Sequence, residues 1–303
     1  MYKMKYFMIA VVCSLLISGC TSVKPEIGQV VFSSPEEAVA ALGDATGKND
    51  ANRLMEIFGQ NAKDIVYSGD DKYDVESRAM FAQKAGEKTN LVKDGELIIV
   101  EIGNDNFPFA VPLAIYDGKA FFYTAAGKEE VINRRIGRNE IFTINVCEAL
   151  AKTEVEDARR RVAIDGVREY AMKFINQTGK VNELYWNPET GKKENLICAA
   201  LANAALEPGN PKREPYYGYY YKVLKAQGPD APGGKKSYLV DGKMKNGFAL
   251  VAYPANYGAL GIKTFIVSRS GVVFEKDLGD DTEKTASEMT EYNPDDTWDP
   301  VGD

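Results

Sequence analysis

The chain has 303 residues, 44 acidic against 37 basic side chains, a net charge of −7 and no histidine. An acidic chain with scattered basic residues argues against nucleic-acid binding, which needs a basic patch or stripe. The missing histidine excludes Ser-His-Asp and Cys-His nucleophile activation and every histidine-based metal site. Carboxylate pairs and Lys or Tyr bases stay open, but no spaced carboxylate motif stands out. No catalytic residue, cofactor or metal site is therefore expected.

The N-terminus reads as a targeting segment. Lys3 and Lys5 make a positive start, and the apolar run Tyr6 to Ile17 is far shorter than the roughly 20 residues that span a bilayer. It ends Ile17-Ser18-Gly19-Cys20, which resembles a bacterial lipobox. The resemblance implies a lipoprotein signal peptide over residues 1–19 and acylation of Cys20. Lipid chains would then hold the protein at the periplasmic face of the cell envelope. Thr21 in place of Asp implies the outer membrane where the host has one. The alternative is an ordinary signal peptide with an incidental cysteine. Cys13 leaves with the leader, so Cys147 and Cys198 remain. In an oxidising periplasm they can form a disulfide, or stand as two buried thiols.

Residues 20–32 read as a tether and 33–127 as an N-terminal α+β domain. Ser33-Ser34-Pro35-Glu36-Glu37 is a helix start, with a hydroxyl cap, Pro in the first turn and acids near the positive end of the dipole. Ala38, Ala41 and Leu42 form its apolar face. Asp50 caps a second helix carrying Leu54, Met55, Ile57 and Phe58. A third is expected from Asp74, burying Met80 and Phe81. Leu97 to Val100 reads as a strand after the turn Lys93-Asp94-Gly95, and Asp117-Gly118 joins a hairpin. Helices followed by a curved sheet resemble the nuclear transport factor 2-like cone, which implies a pocket.

Residues 128–279 read as a long helix followed by an antiparallel sheet. Lys128 to Asn139 is a charged connection whose Arg134, Arg135 and Arg138 can hold an anionic ligand or headgroup. The plainer alternative is a solvated helix end with local ion pairs. Asn139 then caps a helix with an apolar stripe at Ile141, Ile144, Cys147, Ala151, Val155, Ala158 and Val162. Val167 to Phe174 reads as further helix. The loop that follows carries Trp186, able to grip a ligand or to plug a gap between domains. Pro208 to Pro215 is a linker.

From Tyr216, aromatic and apolar runs bounded by Gly, Pro or Asn mark successive strands. Strand alternation places Tyr217, Tyr219 and Tyr221 on one face and Tyr216 and Tyr220 on the other. One row can line a binding surface; alternatively one row is core and the other covers a half-exposed sheet. Residues 280–303, acidic and poor in apolar side chains, read as a mobile tail.

Phe107-Pro108-Phe109, Arg134 to Glu140, Tyr217-Gly218-Tyr219-Tyr220, Ala226-Gln227-Gly228-Pro229, Gly247 to Ala252 and Thr264-Phe265-Ile266-Val267 follow one another in order. With the leader, this resembles the bacterial family called domain of unknown function 2950, which brings no catalytic residues to carry over. The long helix and small sheet are also similar to the globular head of type IV pilins and pseudopilins. Those proteins keep an apolar N-terminal helix, whereas here Cys20 ends the leader. The expectation is a non-catalytic, lipid-anchored envelope module that binds a protein partner or supports an assembly. The alternative is a small-molecule binder or an enzyme using a pocket in the N-terminal cone.

Overall fold

The structure, a computed structural model, describes residues 23–166, 168–175, 183–185 and 199–302. Helix α1 (Pro35–Gly47) starts where its cap predicts: Ser34 Oγ accepts the Glu37 N–H at 3.2 Å, and the Glu37 carboxylate accepts the Ser33 N–H at 2.8 Å. Helix α2 (Ala51–Phe58) is capped by Asp50, which accepts from Arg53 N at 2.9 Å. After the short α3 (Lys63–Val66), α4 runs Asp71–Glu87. It starts earlier than expected because Asp70 is the cap, accepting from Tyr73 N at 3.0 Å. Asp74 lies inside the first turn, buried, and accepts the Ser68 N–H. Met80 is half exposed rather than core.

The N-terminal sheet has β1 (Thr89–Asp94), β2 (Leu97–Ile102), β3 (Phe107–Pro108), β4 (Leu113–Tyr116) and β5 (Lys119–Phe122). Its order is β1-β2-β4-β5, all antiparallel, with β3 also on β2. Asp117 and Gly118 take positive φ, 49° and 71°, the geometry of the expected tight hairpin. The N-terminal core joins Leu42, Ile57 and Phe58 of the helices to Val100, Leu113 and Phe122 of the sheet. All are buried, so the sheet face that meets the helices is packed with apolar side chains.

Helix α5 runs Thr124–Asp165, about 63 Å at 1.5 Å per residue. The expected charged connection over 128–139 thus lies inside the helix, from its second turn on, and Asn139 is no cap but a fully buried mid-helix residue. Gly127, in the first turn of α5, is required by a close approach. A Cβ there would sit 2.3 Å from the Ala110 carbonyl oxygen and 2.6 Å from Val111 Cα, so the helix crosses that backbone only without a side chain. Along the expected stripe, Cys147, Ala151 and Ala158 are buried, whereas Ile141 and Val162 are exposed. Gly166 closes the helix with φ +71°, its N–H returning to Val162 O at 3.0 Å. The expected helix from Val167 is absent among the described residues 168–175: Tyr170 bridges to Met244, and β6 (Lys173–Ile175) pairs in parallel with β7 (Glu183–Tyr185).

Helix α6 (Ala199–Ala204) precedes the C-terminal strands β8 (Tyr219–Leu224), β9 (Ala226–Gln227), β10 (Lys236–Ser237), β11 (Leu239–Val240), β12 (Lys243–Met244), β13 (Ala249–Pro254), β14 (Lys263–Ser268) and β15 (Val273–Asp277). Helix α7 (Thr282–Glu288), β16 (Glu291–Tyr292) and β17 (Asp299–Pro300) complete the chain. The main sheet has order β17-β15-β14-β13-β8, all antiparallel. Every residue of central β13 is buried, and α5 packs on β13 and β14. The long helix on a C-terminal antiparallel sheet is the α+β arrangement read from the sequence.

The stretch expected to be a mobile tail is instead built into this unit. Its few apolar residues are nearly all spent in the core: Ala286, Tyr292 and Trp298 are buried. Strand β17 pairs with β15, and β16 pairs in parallel with β9. Low average hydrophobicity predicts mobility only when the apolar groups present fail to find a surface.

Candidate binding cleft

The predicted contact residues fall into three groups. Two arginines are committed to holding α5 against the N-terminal half. Arg135, buried, donates to the carbonyls of Asp64 and Ile65 at 2.9 and 3.2 Å. Arg134 donates to the Pro108 carbonyl and the Glu130 carboxylate, both at 2.6 Å. Arg138 lies over the Tyr73 ring, 4.4 Å from its centroid. Tyr219 is core, its hydroxyl donating to the Lys263 carbonyl at 3.0 Å. Cys147 is a buried thiol carrying no disulfide, and burial pushes its pKa up. Its expected partner Cys198, with Cys20 and Trp186, lies outside the described residues.

Tyr217 belongs to the third group. Strand β8 begins only at Tyr219, so Tyr217 is not part of an alternating row. It sits with Gly218 at the centre of a tight turn, with φ of 51° and 76°, closed by Tyr216 N to Tyr219 O at 2.9 Å. Its ring stacks on Phe142 of α5, centroids 3.4 Å apart. Gly218 is demanded twice over. Its φ is left-handed, and a Cβ would lie 2.7 Å from Asn139 Nδ2. That same amide donates to the Leu260 carbonyl at 2.9 Å, while the Glu140 carboxylate accepts from Ile262 N and Lys263 N, each at 2.9 Å. The middle of α5 therefore fixes the turn in place.

Beside the turn lies a cleft of about 520 Å³ between the two halves. Asp70, Asp71 and Tyr73 at the start of α4 form one wall; Arg213, Tyr217 and Tyr220 form the other. Asp70, only 6% exposed, caps α4 and also accepts the Gly218 N–H across the seam. Burial raises its pKa, opposed by these backbone hydrogen bonds. Opposite, the Arg213 guanidinium lies 3.5 Å from the Tyr220 centroid and donates to the Tyr253 hydroxyl at 2.5 Å. Its Nε is buried without a partner, and Glu283 lies at 3.9 Å. Burial pushes up the Tyr220 phenol, against the pull of the Arg213 charge.

Sequence reading missed Asp70 and Arg213. Asp70 carried a weak signal as an Asp ahead of a helical run; Arg213 sat in a Pro- and Gly-rich linker and carried none. Among the described residues, no group of three or more His, Cys, Asp or Glu side chains is placed to hold a metal ion, and no helix is long and apolar enough to cross a membrane. The cleft offers aromatic faces, a stacked guanidinium and carboxylates, with no nucleophile held by a base. Groups of these kinds can stack on and pair with polar ligands.

Residues 29–301 match the family described as protein of unknown function (DUF2950). The chain belongs to that family. The match spans both halves and α5, so the whole described arrangement of the DUF2950 protein, cleft included, falls within one family unit. No curated protein and no solved structure matches the chain. The resemblances to pilin heads and to the nuclear transport factor 2-like cone accordingly rest on element order alone.

Proposed function

We propose that the DUF2950 protein is a lipid-anchored, non-catalytic binding module of the cell envelope that engages a polypeptide segment of an envelope protein in the cleft between its halves. Its lipobox-like leader supports an anchor at Cys20 on the periplasmic face, in the outer membrane where the host has one. The observation that carries the binding reading is the cleft itself. Tyr73, Tyr217 and Tyr220 line it beside Asp70 and Arg213, a set that can stack on side chains and pair with either charge of a peptide. The alternative of a small-molecule binder or enzyme in an N-terminal cone finds less support, because Val100, Leu113 and Phe122 fill the sheet face there.

A photo-crosslinking amino acid placed at Tyr217 in living cells tests this reading. A discrete adduct with one envelope protein is expected from Tyr217, and none from Tyr116 on the N-terminal hairpin. Equal or absent crosslinking from the two positions would sink it. Separately, Cys20→Ser is expected to move the protein from the membrane fraction to the soluble fraction; retention in the membrane would remove the anchor.

A further inference from the structure

A second pocket, of about 370 Å³, lies on the C-terminal half, away from the cleft residues. Four cations line it from four separate segments: Arg159 on α5, Arg168 after it, Lys236 on β10 and Arg269 in the turn after β14. Among the described residues no carboxylate lines it. In a chain of net charge −7 this is a local inversion of sign.

The state of the arginines makes the inversion informative. Elsewhere the described arginines have side-chain partners: Arg53 has Glu56, Arg78 has Asn49, Arg138 has Ser77, and Arg160 and Arg161 share Asp157. Arg134, Arg135 and Arg213 are held as described above. Arg159, Arg168 and Arg269 alone make no side-chain hydrogen bond or ion pair to any described residue, and all three line this pocket. Like charges gathered without counter-charge repel, and the arrangement costs free energy unless an anion joins it.

The floor suits the same chemistry. Ser268 and Ser270 place hydroxyl oxygens 3.1 Å apart. Beneath them Tyr170, Tyr238 and Tyr292 are buried. Gln227 holds the adjoining loop by donating to the carbonyls of Pro232 and Gly234 at 2.9 and 2.7 Å, and accepts from the Tyr238 hydroxyl at 3.1 Å. The floor is thus rigid and the cations stand on its rim.

We propose that this pocket binds a phosphoryl group, with Arg159, Arg168 and Arg269 pairing its oxygens and Lys236 adding a point charge. Guanidinium forks match phosphate oxygens two at a time, and hydroxyl donors complete the shell. The volume leaves room beside the phosphoryl group for the glycerol or sugar that carries it, set against the tyrosine floor. The bearer is either a free phosphate ester or the headgroup of an anionic lipid.

Calorimetry on the full chain in detergent, with inorganic phosphate and glycerol 3-phosphate, tests the first source. Flotation with phosphatidylcholine vesicles, with and without phosphatidic acid, tests the second, using the Cys20→Ser chain so that no anchor contributes. Saturable binding of either probe that weakens about tenfold or more in Arg159→Gln/Arg269→Gln supports the pocket, as does weakening with added salt. Binding of the soluble probes assigns a free ester; binding of phosphatidic acid vesicles alone assigns a headgroup. Because the varied arginines are exposed and unpaired, the variant is expected to fold, which near-ultraviolet circular dichroism checks; Ser270→Ala, expected to weaken binding more modestly, serves if it does not. Binding of neither probe, or wild-type affinity in these variants, would overturn the proposal. Neither outcome bears on crosslinking at Tyr217.

Discussion

The two halves of the molecule meet α5 by different physics. The C-terminal sheet packs on an apolar stretch of the helix, where Cys147, Leu150, Ala151 and Ala158 share a core with Tyr219, Tyr221 and Phe265. The N-terminal half is joined largely through directed polar contacts: Arg135 to two carbonyls, Lys128 to Asp64 at 2.7 Å, and Arg138 over Tyr73. Apolar burial contributes most of the free energy but tolerates small rotations, because it has no preferred direction. A guanidinium bonded to two carbonyls fixes orientation. The cleft lies beside these directed contacts, with Tyr73 in its wall.

The sharpest way to break that arrangement is Gly127→Ala. The added carbon cannot coexist with Ala110 O at 2.3 Å and Val111 Cα at 2.6 Å, so helix and strand must part. A loss of about 3 kcal/mol is expected, seen as an early denaturant transition in which the N-terminal half unfolds first. A single transition at the wild-type midpoint would mean the crossing is not as close as described.

The C-terminal side of α5 also buries polar groups, and Glu154 is the carboxylate among them whose titration is most displaced. Glu154 is fully buried on α5, accepts the Ala171 N–H at 3.0 Å, and keeps its other oxygen unpartnered. Burial pushes its pKa up to about 8 from 4.5, assisted by Asp157 and opposed by Ala171 N–H and Arg161. A raised carboxylate favours the folded state when protonated. Its contribution is fully present below pH 4.5, declines as pH rises, and is gone above about 8. Glu154→Gln keeps the acceptor and removes the titration. It is expected to stabilise the protein by about 2 to 3 kcal/mol near pH 8 and hardly at all near pH 4.5. Thermal melts across that range decide the matter; a gain independent of pH would place the effect elsewhere.

What could be read from sequence was what is decided locally. Ser34 and Asp50 cap helices with their own neighbours, and Asp117-Gly118 adopts a left-handed turn because Asp tolerates positive φ and Gly has no Cβ to oppose it. What could not be read depends on distant partners. The need for glycine at 127 shows only once Ala110 is placed against it. Strand β1, with its charged, exposed edge, has too weak an alternation to register. The tail looked mobile because Trp298 and Tyr292 find their core only once the sheet exists. Tyr217 reads as part of a strand row in sequence but reaches the cleft as a turn residue. Asp70 and Arg213 come together from segments far apart in sequence, and so do the four cations of the second pocket.

Arg135→Met tests the directed side of the comparison. The apolar stem is kept, but the Asp64 and Ile65 carbonyls lose their donor. A cost of about 2 kcal/mol is expected, and with it a loss of crosslinking at Tyr217, since the wall beside Tyr73 is no longer held. Lost stability with unchanged crosslinking would show that the polar contacts support folding without setting the cleft.

The smallest effect should come from Asp70, where charge and hydrogen bonding can be separated. The carboxylate caps α4 and accepts the Gly218 N–H, yet burial penalises its ionised form. Because its pKa is raised above the ordinary 3.8, its protonated form favours the folded state, a contribution fully present below that value and progressively lost as pH rises through the folded pKa. Asp70→Asn keeps an acceptor for Tyr73 N and Gly218 N and removes the buried charge. It should therefore be no less stable than the wild type at pH 7. Asp70→Ala removes cap and seam together and should cost about 1 kcal/mol. If the two variants melt alike, the charge of Asp70 matters more than its hydrogen bonds, and the seam between the halves is held by the Tyr217 turn packing on α5 instead.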